Sequence, residues 1–284
     1  MKIVQLNREI IDYGIKLIAP LKQWNTTCGE NINVAVLDTG IDYTHEDLKA
    51  NVKGGINFTS SNREDYIDRA GHGTFCAGII GAAANGVGII GVAPKVNLYA
   101  VKVLNDKSQG TLNWLLSGID WCIHNNIDII NMSLGFDKDY PKLHEAVVRA
   151  YNNDIVMLAA VGNNKLEPDA EFPARYEEVI GITAIDSMKH IAKFNTLGSK
   201  VEVAAPGVNI TSTYLNNQYA IGSGTSFAVP HIAGAIALIQ SNTLKLNGKK
   251  MKNIEIRQFI KDKCEDLGIK GRDRIYGYGM FKFE

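Results

Sequence analysis

Val34-Ala-Val-Leu-Asp-Thr-Gly40 is the stretch that sets the fold. Four apolar residues in a row suit a strand buried on both faces, and the run stops at a carboxylate followed by a Thr-Gly turn. Similar runs recur along the chain: Leu98–Val103, Asp128–Ser133, Ile155–Val161, Val179–Ile185 and Val201–Ala205 all read as strands. Helical spacing separates several of them. From Thr111 to Asn125, the residues Trp114, Leu115, Gly118, Ile119, Cys122 and Ile123 fall on one face. Pro141–Asn152 carries proline in its first turn, and Ser226–Gln240 reads as an apolar helix. Strands alternating with helices imply an α/β fold of three layers, a mainly parallel sheet with helices on both faces. Residues 1–284 show no repeat, low-complexity tract or linker, and read as one domain.

In such sheets ligands sit beyond the carboxyl ends of the strands. Asp38, Ser133 and Asn163 all fall at or just past a predicted strand end. Three segments place a reactive polar residue beside glycine: Asp38-Thr-Gly-Ile-Asp42, Gly71-His-Gly-Thr74 and Gly224-Thr-Ser-Phe-Ala-Val-Pro-His231. A hydroxyl nucleophile needs a base to take its proton and a carboxylate to orient that base. Glycines alongside let a substrate backbone come close. Singly, each residue has a plain structural reading, as a turn cap, a core histidine or a helix cap. The three motifs together, in the order Asp, His, Ser, are far more specific than any one.

On these motifs the sequence from about Ile15 to Ile239 resembles the subtilisin family of serine endopeptidases. The resemblance implies Ser226 as nucleophile, His72 as general base and then acid, and Asp38 as its orienting partner. Ala159-Ala-Val-Gly-Asn163 resembles the segment carrying the oxyanion asparagine, although Val161 replaces the usual alanine and Asn164 a common glutamate. It implies Asn163 and the Ser226 backbone N–H as donors to the tetrahedral oxyanion. Substrate backbone is expected to add as a strand to two edges, Ser108-Gln109-Gly110 and Ser133-Leu134-Gly135.

Two departures concern the primary specificity pocket. Phe136 stands where a second glycine is common, and Glu171 precedes Phe172-Pro173 where relatives carry a small residue at the pocket base. A carboxylate there would favour arginine, lysine or glutamine before the scissile bond, unless it points to solvent. The resemblance also implies a structural calcium ion. Asp47 and Asn85 match as side-chain ligands, and Ala83, Val87 and Ile89 as carbonyl ligands, oxygen donors suited to a hard cation. Glu9 is the nearest candidate for the glutamine usual near the N-terminus. Cys76, four residues after His72 on the same helical face, reads as a buried thiol, and Phe75 replaces a histidine common in the family.

Composition excludes several alternatives. Lysine plus arginine equals aspartate plus glutamate, at 30 each, so no basic stripe points to nucleic acid. With 45% hydrophobic and 21% charged residues the chain reads as globular. The apolar stretch Ala77–Val101 is broken by glycines, Asn85, Pro94 and Lys95, and reads as core rather than as a membrane span. Arg8, Glu9 and Asp12 interrupt any signal-peptide core. Four widely spaced cysteines, Cys28, Cys76, Cys122 and Cys264, resemble neither a zinc site nor a disulfide framework, and the expected setting is the cytoplasm. The sequence has no nucleophile elbow, no metalloprotease histidine pair and no phosphate loop. The expected partner is a peptide or protein substrate. The expected role is processing of a peptide precursor, as in lantibiotic leader peptidases, with general turnover of the intracellular-subtilisin kind as the alternative. An inactive binding scaffold is the non-enzymatic alternative.

Overall fold

The computed structural model describes residues 1–165, 167 and 169–283. Its elements in chain order are β1 (Lys2–Val4), α1 (Tyr13–Ile18), β2 (Asn33–Asp38), β3 (Val52–Asn57), α2 (His72–Gly81), β4 (Asn97–Lys102), α3 (Leu112–His124), β5 (Ile129–Met132) and α4 (Pro141–Asn152). Then come β6 (Val156–Ala160), β7 (Val179–Ile185), β8 (Val203–Pro206), β9 (Ile210–Tyr214), β10 (Gln218–Gly222), α5 (Thr225–Asn247), α6 (Asn253–Asp262), β11 (Cys264–Glu265) and β12 (Met280–Phe281). The main sheet has the order β11-β12-β8-β7-β6-β5-β2-β4-β3 and is parallel except at β11.

Strand alternation divides the core in two. On β2, Val34 and Val36 point into a cluster with α2 and α5, whereas Ala35 and Leu37 point into one with α3 and α4. Because successive side chains face opposite ways and both faces are covered, the strand reads as an unbroken apolar run. The expected three layers are therefore present. The chain crosses from β4 to β5 over β2, so the carboxyl ends of β2, β5 and β6 lie side by side. That reversal of strand order opens a crevice at those ends.

The sequence reading differs from the structure in three places. Helix α5 runs to Asn247, past Gln240, because the exposed polar turns that follow the buried face continue until Gly248 at φ 70° ends them. Strand β3 carries Gly54 and Gly55, which hide its strand character. A separate antiparallel sheet, β1-β10-β9, was not expected; its hairpin turns at Asn216 and Asn217, both at positive φ. By length and apolar content α5 could cross a membrane, but 83% of its most apolar window is buried inside the fold.

His231 lies inside α5, fully buried. Its Nδ1 donates to the Phe227 carbonyl at 2.9 Å, while Nε2 has no hydrogen-bond partner among the described residues and packs against Gly14. Burial pushes this imidazole down to about 4, despite the Phe227 hydrogen bond. The folded state thus refuses a proton that the unfolded chain takes near 6.5. Stability from this group is present above pH 6.5 and is lost as pH falls toward 4, by about 3 kcal/mol in all. Urea unfolding between pH 7.5 and 4.5, paired with NMR titration of the ring, should show falling stability while the folded ring stays neutral to about pH 5. A ring titrating near 6.5 in the folded protein would contradict this.

Candidate active site

Asp38 ends β2 with its side chain fully buried. Its Oδ1 accepts from Thr39 N at 2.7 Å, and both oxygens face His72 Nδ1, at 2.8 and 2.9 Å. His72 opens α2, whose first turn lies directly on the end of β2. A Cβ on Gly73 would stand 2.1 Å from the Gly40 carbonyl oxygen, so only glycine permits that approach. The imidazole is 22% exposed at its side chain, open on the face away from Asp38. Burial alone would lower its pKa, but the charge and hydrogen bond of Asp38 outweigh that, with help from Asp68, and hold it above the ordinary histidine value.

Ser226 sits in the first turn of α5, where N–H groups have no partner within the helix. Packing of α2 on α5 brings it to the histidine. Phe227 lies with its ring 5.5 Å from that of His72, and the Cys76 thiol donates to the Ser226 carbonyl oxygen at 3.5 Å. The Ser226 carbonyl also accepts from Ser133 Oγ at 2.7 Å, while Ser226 Oγ donates to the Ser133 carbonyl at 3.2 Å. Cys76 is buried, and burial raises its thiol well above the ordinary range, so it is an inert thiol rather than a nucleophile.

Asn163 follows β6 after Gly162. Its Oδ1 accepts from Thr225 N at 2.9 Å and from Thr225 Oγ1 at 3.0 Å, which leaves the amide N–H₂ to project outward. From the point where a Cβ on Gly224 would stand, Asn163 Nδ2 and Ser226 N are each 3.8 Å away. Two donors thus border one open space beside the hydroxyl. Positive charge of the helix N-terminus adds to them.

Both expected substrate edges line one cleft of about 510 Å³ together with His72. Ser108, Gln109 and Gly110 form one wall, and Ser133, Leu134, Gly135 and Phe136 the other. The first wall is tied down by Lys102, a buried lysine that the sequence reading passed over. Its Nζ donates to the Thr39 carbonyl at 2.5 Å and to Asp106 Oδ1 at 2.8 Å, joining the catalytic end of β2 to the loop before Ser108. Phe136 exchanges backbone hydrogen bonds with Phe172 at 2.7 and 2.9 Å, and its ring meets Tyr140 edge-on at 5.5 Å.

Glu171 is not among the residues that line this cleft; it lies behind one wall, between the backbones of Gly135 and Gly162. A Cβ on Gly135 would stand 2.2 Å from its Oε2, and a Cβ on Gly162 2.5 Å from its Oε1. The carboxyl is therefore wedged against both backbones rather than extended into solvent. Its side chain forms no hydrogen bond or ion pair among the described residues. Burial raises its pKa, and the negative charges of Asp137 and Glu167 raise it further. Those two neighbours were not singled out from sequence, and neither were Thr225 and Phe227.

The proposed metal ligands also converge. Asp47 is buried, with Oδ1 accepting from Asn85 Nδ2 at 3.0 Å and Oδ2 from Ile89 N at 2.9 Å. Glu9 Oε1 accepts from Asn85 N at 2.9 Å and Gly86 N at 2.7 Å, which brings the expected N-terminal residue to the same loop. Ala83 and Val87 lie in that loop, and Asn85 Oδ1 caps Val87 N at 3.0 Å. Neither carboxylate has a salt bridge among the described residues. Two carboxylates, an amide oxygen and loop carbonyls form a donor set that fits a hard cation once the Asn85 amide is turned over. Burial raises the Asp47 pKa, against the lowering effect of its hydrogen bonds and of His45.

The model of the subtilase family matches residues 29–279. The minor extracellular protease Epr of Bacillus subtilis strain 168 is 45% identical over 259 residues, covering 90% of this chain and 38% of the relative's own length. Subtilisin DY of Bacillus licheniformis is 44% identical over 250 residues, 86% of this chain and 90% of the relative. An intracellular serine protease of Paenibacillus polymyxa is 43% identical over 237 residues, 81% of this chain and 73% of the relative.

The wedged carboxyl has a measurable cost. A raised folded pKa means that Glu171 supports stability below its unfolded value near 4.3 and loses that support as pH rises through the folded value. Glu171→Gln should therefore raise Tm at pH 7.5 by roughly 1–3 °C, with the gain vanishing near pH 4. An equal or lower Tm at pH 7.5 would mean that the carboxylate has a partner.

Proposed function

The chain belongs to the subtilase family and is a serine endopeptidase, and we propose that it cleaves after a basic residue, maturing a peptide precursor rather than degrading proteins at large. Asp38, His72 and Ser226 are the reacting groups in this reading. The Ser226 hydroxyl turns from the Ser133 carbonyl to His72 Nε2, gives up its proton and attacks the scissile carbonyl carbon. The developing oxyanion takes hydrogen bonds from Asn163 Nδ2 and the Ser226 N–H. His72 then passes the proton to the leaving amine, and water repeats the sequence on the acyl-enzyme. Asp38 keeps the proton of His72 on Nδ1, so that Nε2 is the acceptor. The substrate's acyl side runs as a strand between the Ser108–Gly110 and Ser133–Gly135 edges.

The observation that carries the specificity is the seat of Glu171 between Gly135 and Gly162, without a cation partner among the described residues. A desolvated carboxylate repels acidic and apolar side chains and accepts from an arginine or lysine that enters beside it. Such a site, narrowed by Phe136, suits few cleavage sites, and removal of a leader from a lantibiotic-type precursor is one reaction of this class. A cytoplasmic setting is supported by four unpaired thiols, Cys28, Cys76, Cys122 and Cys264.

Cleavage sites mapped by mass spectrometry in a proteome-derived peptide mixture, with Ser226→Ala as blank, test this. Few sites sharing arginine or lysine before the cut are expected, and Glu171→Gln should lower the preference for arginine over phenylalanine by about 10-fold or more. In the same assay Asn163→Ala should reduce turnover by roughly 100- to 1,000-fold. Many sites of mixed character would make the enzyme a degradative one.

The Asp47–Asn85 loop, with Glu9, is proposed to hold calcium as a structural ion. Binding only the folded state, the ion would raise Tm as its concentration grows. Adding a chelator should lower Tm by about 5 °C or more, with recovery by calcium, and Asp47→Asn should abolish the dependence. A Tm indifferent to chelator and calcium would remove the ion from the account.

A further inference from the structure

Strands β1 and β10 are given no part in the reaction above, although β10 ends just before the helix that carries Ser226. Strand β1 pairs antiparallel with β10 in the register Lys2↔Ile221, Ile3↔Ala220 and Val4↔Tyr219. Continued by one residue, that register sets Met1 opposite Gly222, the last residue of β10. Only Ser223 and Gly224 separate Gly222 from the first turn of α5. Met1 Cγ lies 3.2 Å from where a Cβ on Gly222 would stand, and Phe227 Cε2 lies 2.6 Å from the same point. The Phe227 ring in turn faces His72. Met1 and Phe227 therefore pack against the same glycine, and the buried Phe227 ring links it to His72. Met1 is 55% exposed and Ile3 45%, so the start of β1 presents an uncovered apolar edge beside that ring.

The direction of the substrate follows from the reaction. The acyl part fills the cleft between the Ser108–Gly110 and Ser133–Gly135 edges. The leaving amine must lie within reach of His72 Nε2, which gives it a proton. The residues after the scissile bond therefore leave past His72, away from the acyl cleft. His72 lines that cleft, whereas Phe227, Gly222 and Met1 do not. Glycine at 222 contributes no side chain of its own, and the neighbouring strand supplies the wall instead.

We propose that Met1 and the start of β1 form one wall of the subsite for the leaving peptide, and that this wall selects an apolar side chain directly after the cut. The proposal rests on the endopeptidase reading of Ser226. Burying an apolar side chain against Met1 in the transition state favours it over a small polar one by roughly 5- to 10-fold in kcat/KM.

The test uses quenched-fluorescence peptides, with arginine before the bond and leucine or serine after it, and a peptidyl-arginine p-nitroanilide. Three proteins are compared: the unaltered chain, a chain lacking residues 1–4, and Met1→Ser prepared by tag removal, which retains β1. The leucine-to-serine ratio of kcat/KM should be about 5 to 10 in the unaltered chain and near 1 in both altered ones. Anilide cleavage should change less than about twofold, because its leaving group carries no residue to meet Met1. A ratio equal in all three proteins would overturn the proposal, as would a loss that the anilide shares in Met1→Ser. Failure of the unaltered protein to cleave the anilide would overturn the peptidase reading, and the proposal with it.

Discussion

The buried pair of Asp38 and His72 is the interaction on which the rest of the molecule depends. A carboxylate with no exposed surface is tolerated only when its oxygens are matched by donors. Here one N–H comes from the next residue, Thr39, and the other donor is an imidazole delivered by a separate helix. That delivery requires α2 to begin directly on the end of β2, which Gly73 alone allows, and Thr39 Oγ1 fixes the contact by accepting from Gly73 N at 3.0 Å. Lys102 then extends the same anchor to the loop that walls the cleft. Strand, helix start and substrate edge are thus parts of one polar network inside an otherwise apolar fold.

Against that network Glu171 is a local conflict. It occupies space that the two neighbouring glycine backbones leave, yet it brings a charge with no partner among the described residues, near two further carboxylates. A residue that breaks the rule for buried charges without compensation marks a functional site more often than a structural one. In this reading the missing partner is the substrate. At the proposed cation site Glu9 and Asp47 likewise face one loop.

Much of this was legible in the sequence. Unbroken apolar runs gave the parallel strands, because burial on both faces removes alternation. Glycines flanking Asp38, His72 and Ser226 marked the close approaches that the structure displays. Other features left weaker traces. The Asn216-Asn217 turn is a trace of the β9–β10 hairpin, but five-residue strands that bury Ser212 and Thr213 show little apolar periodicity. Whether Glu171 packed behind the cleft wall or pointed to solvent depended on two glycines distant in sequence. The placing of Met1 beside Gly222 depends on strand register, which no local pattern in Met1–Val4 encodes. Lys102 was hidden for a similar reason: a lysine within a strand pattern gives no sign that its ammonium is buried.

The pH dependence of kcat/KM for a peptidyl-arginine anilide, measured for the unaltered enzyme and for Asp38→Asn, probes that pair most directly. In the proposed mechanism only neutral His72 accepts the serine proton, so the acid limb reports the histidine of the free enzyme. The unaltered enzyme should gain activity with a midpoint above 6.5, because Asp38 outweighs burial. In Asp38→Asn burial is opposed only by the smaller effect of Asp68, so the midpoint should fall and activity should drop by about 10⁴. A midpoint unmoved by the substitution, with activity largely retained, would show that Asp38 does not govern His72.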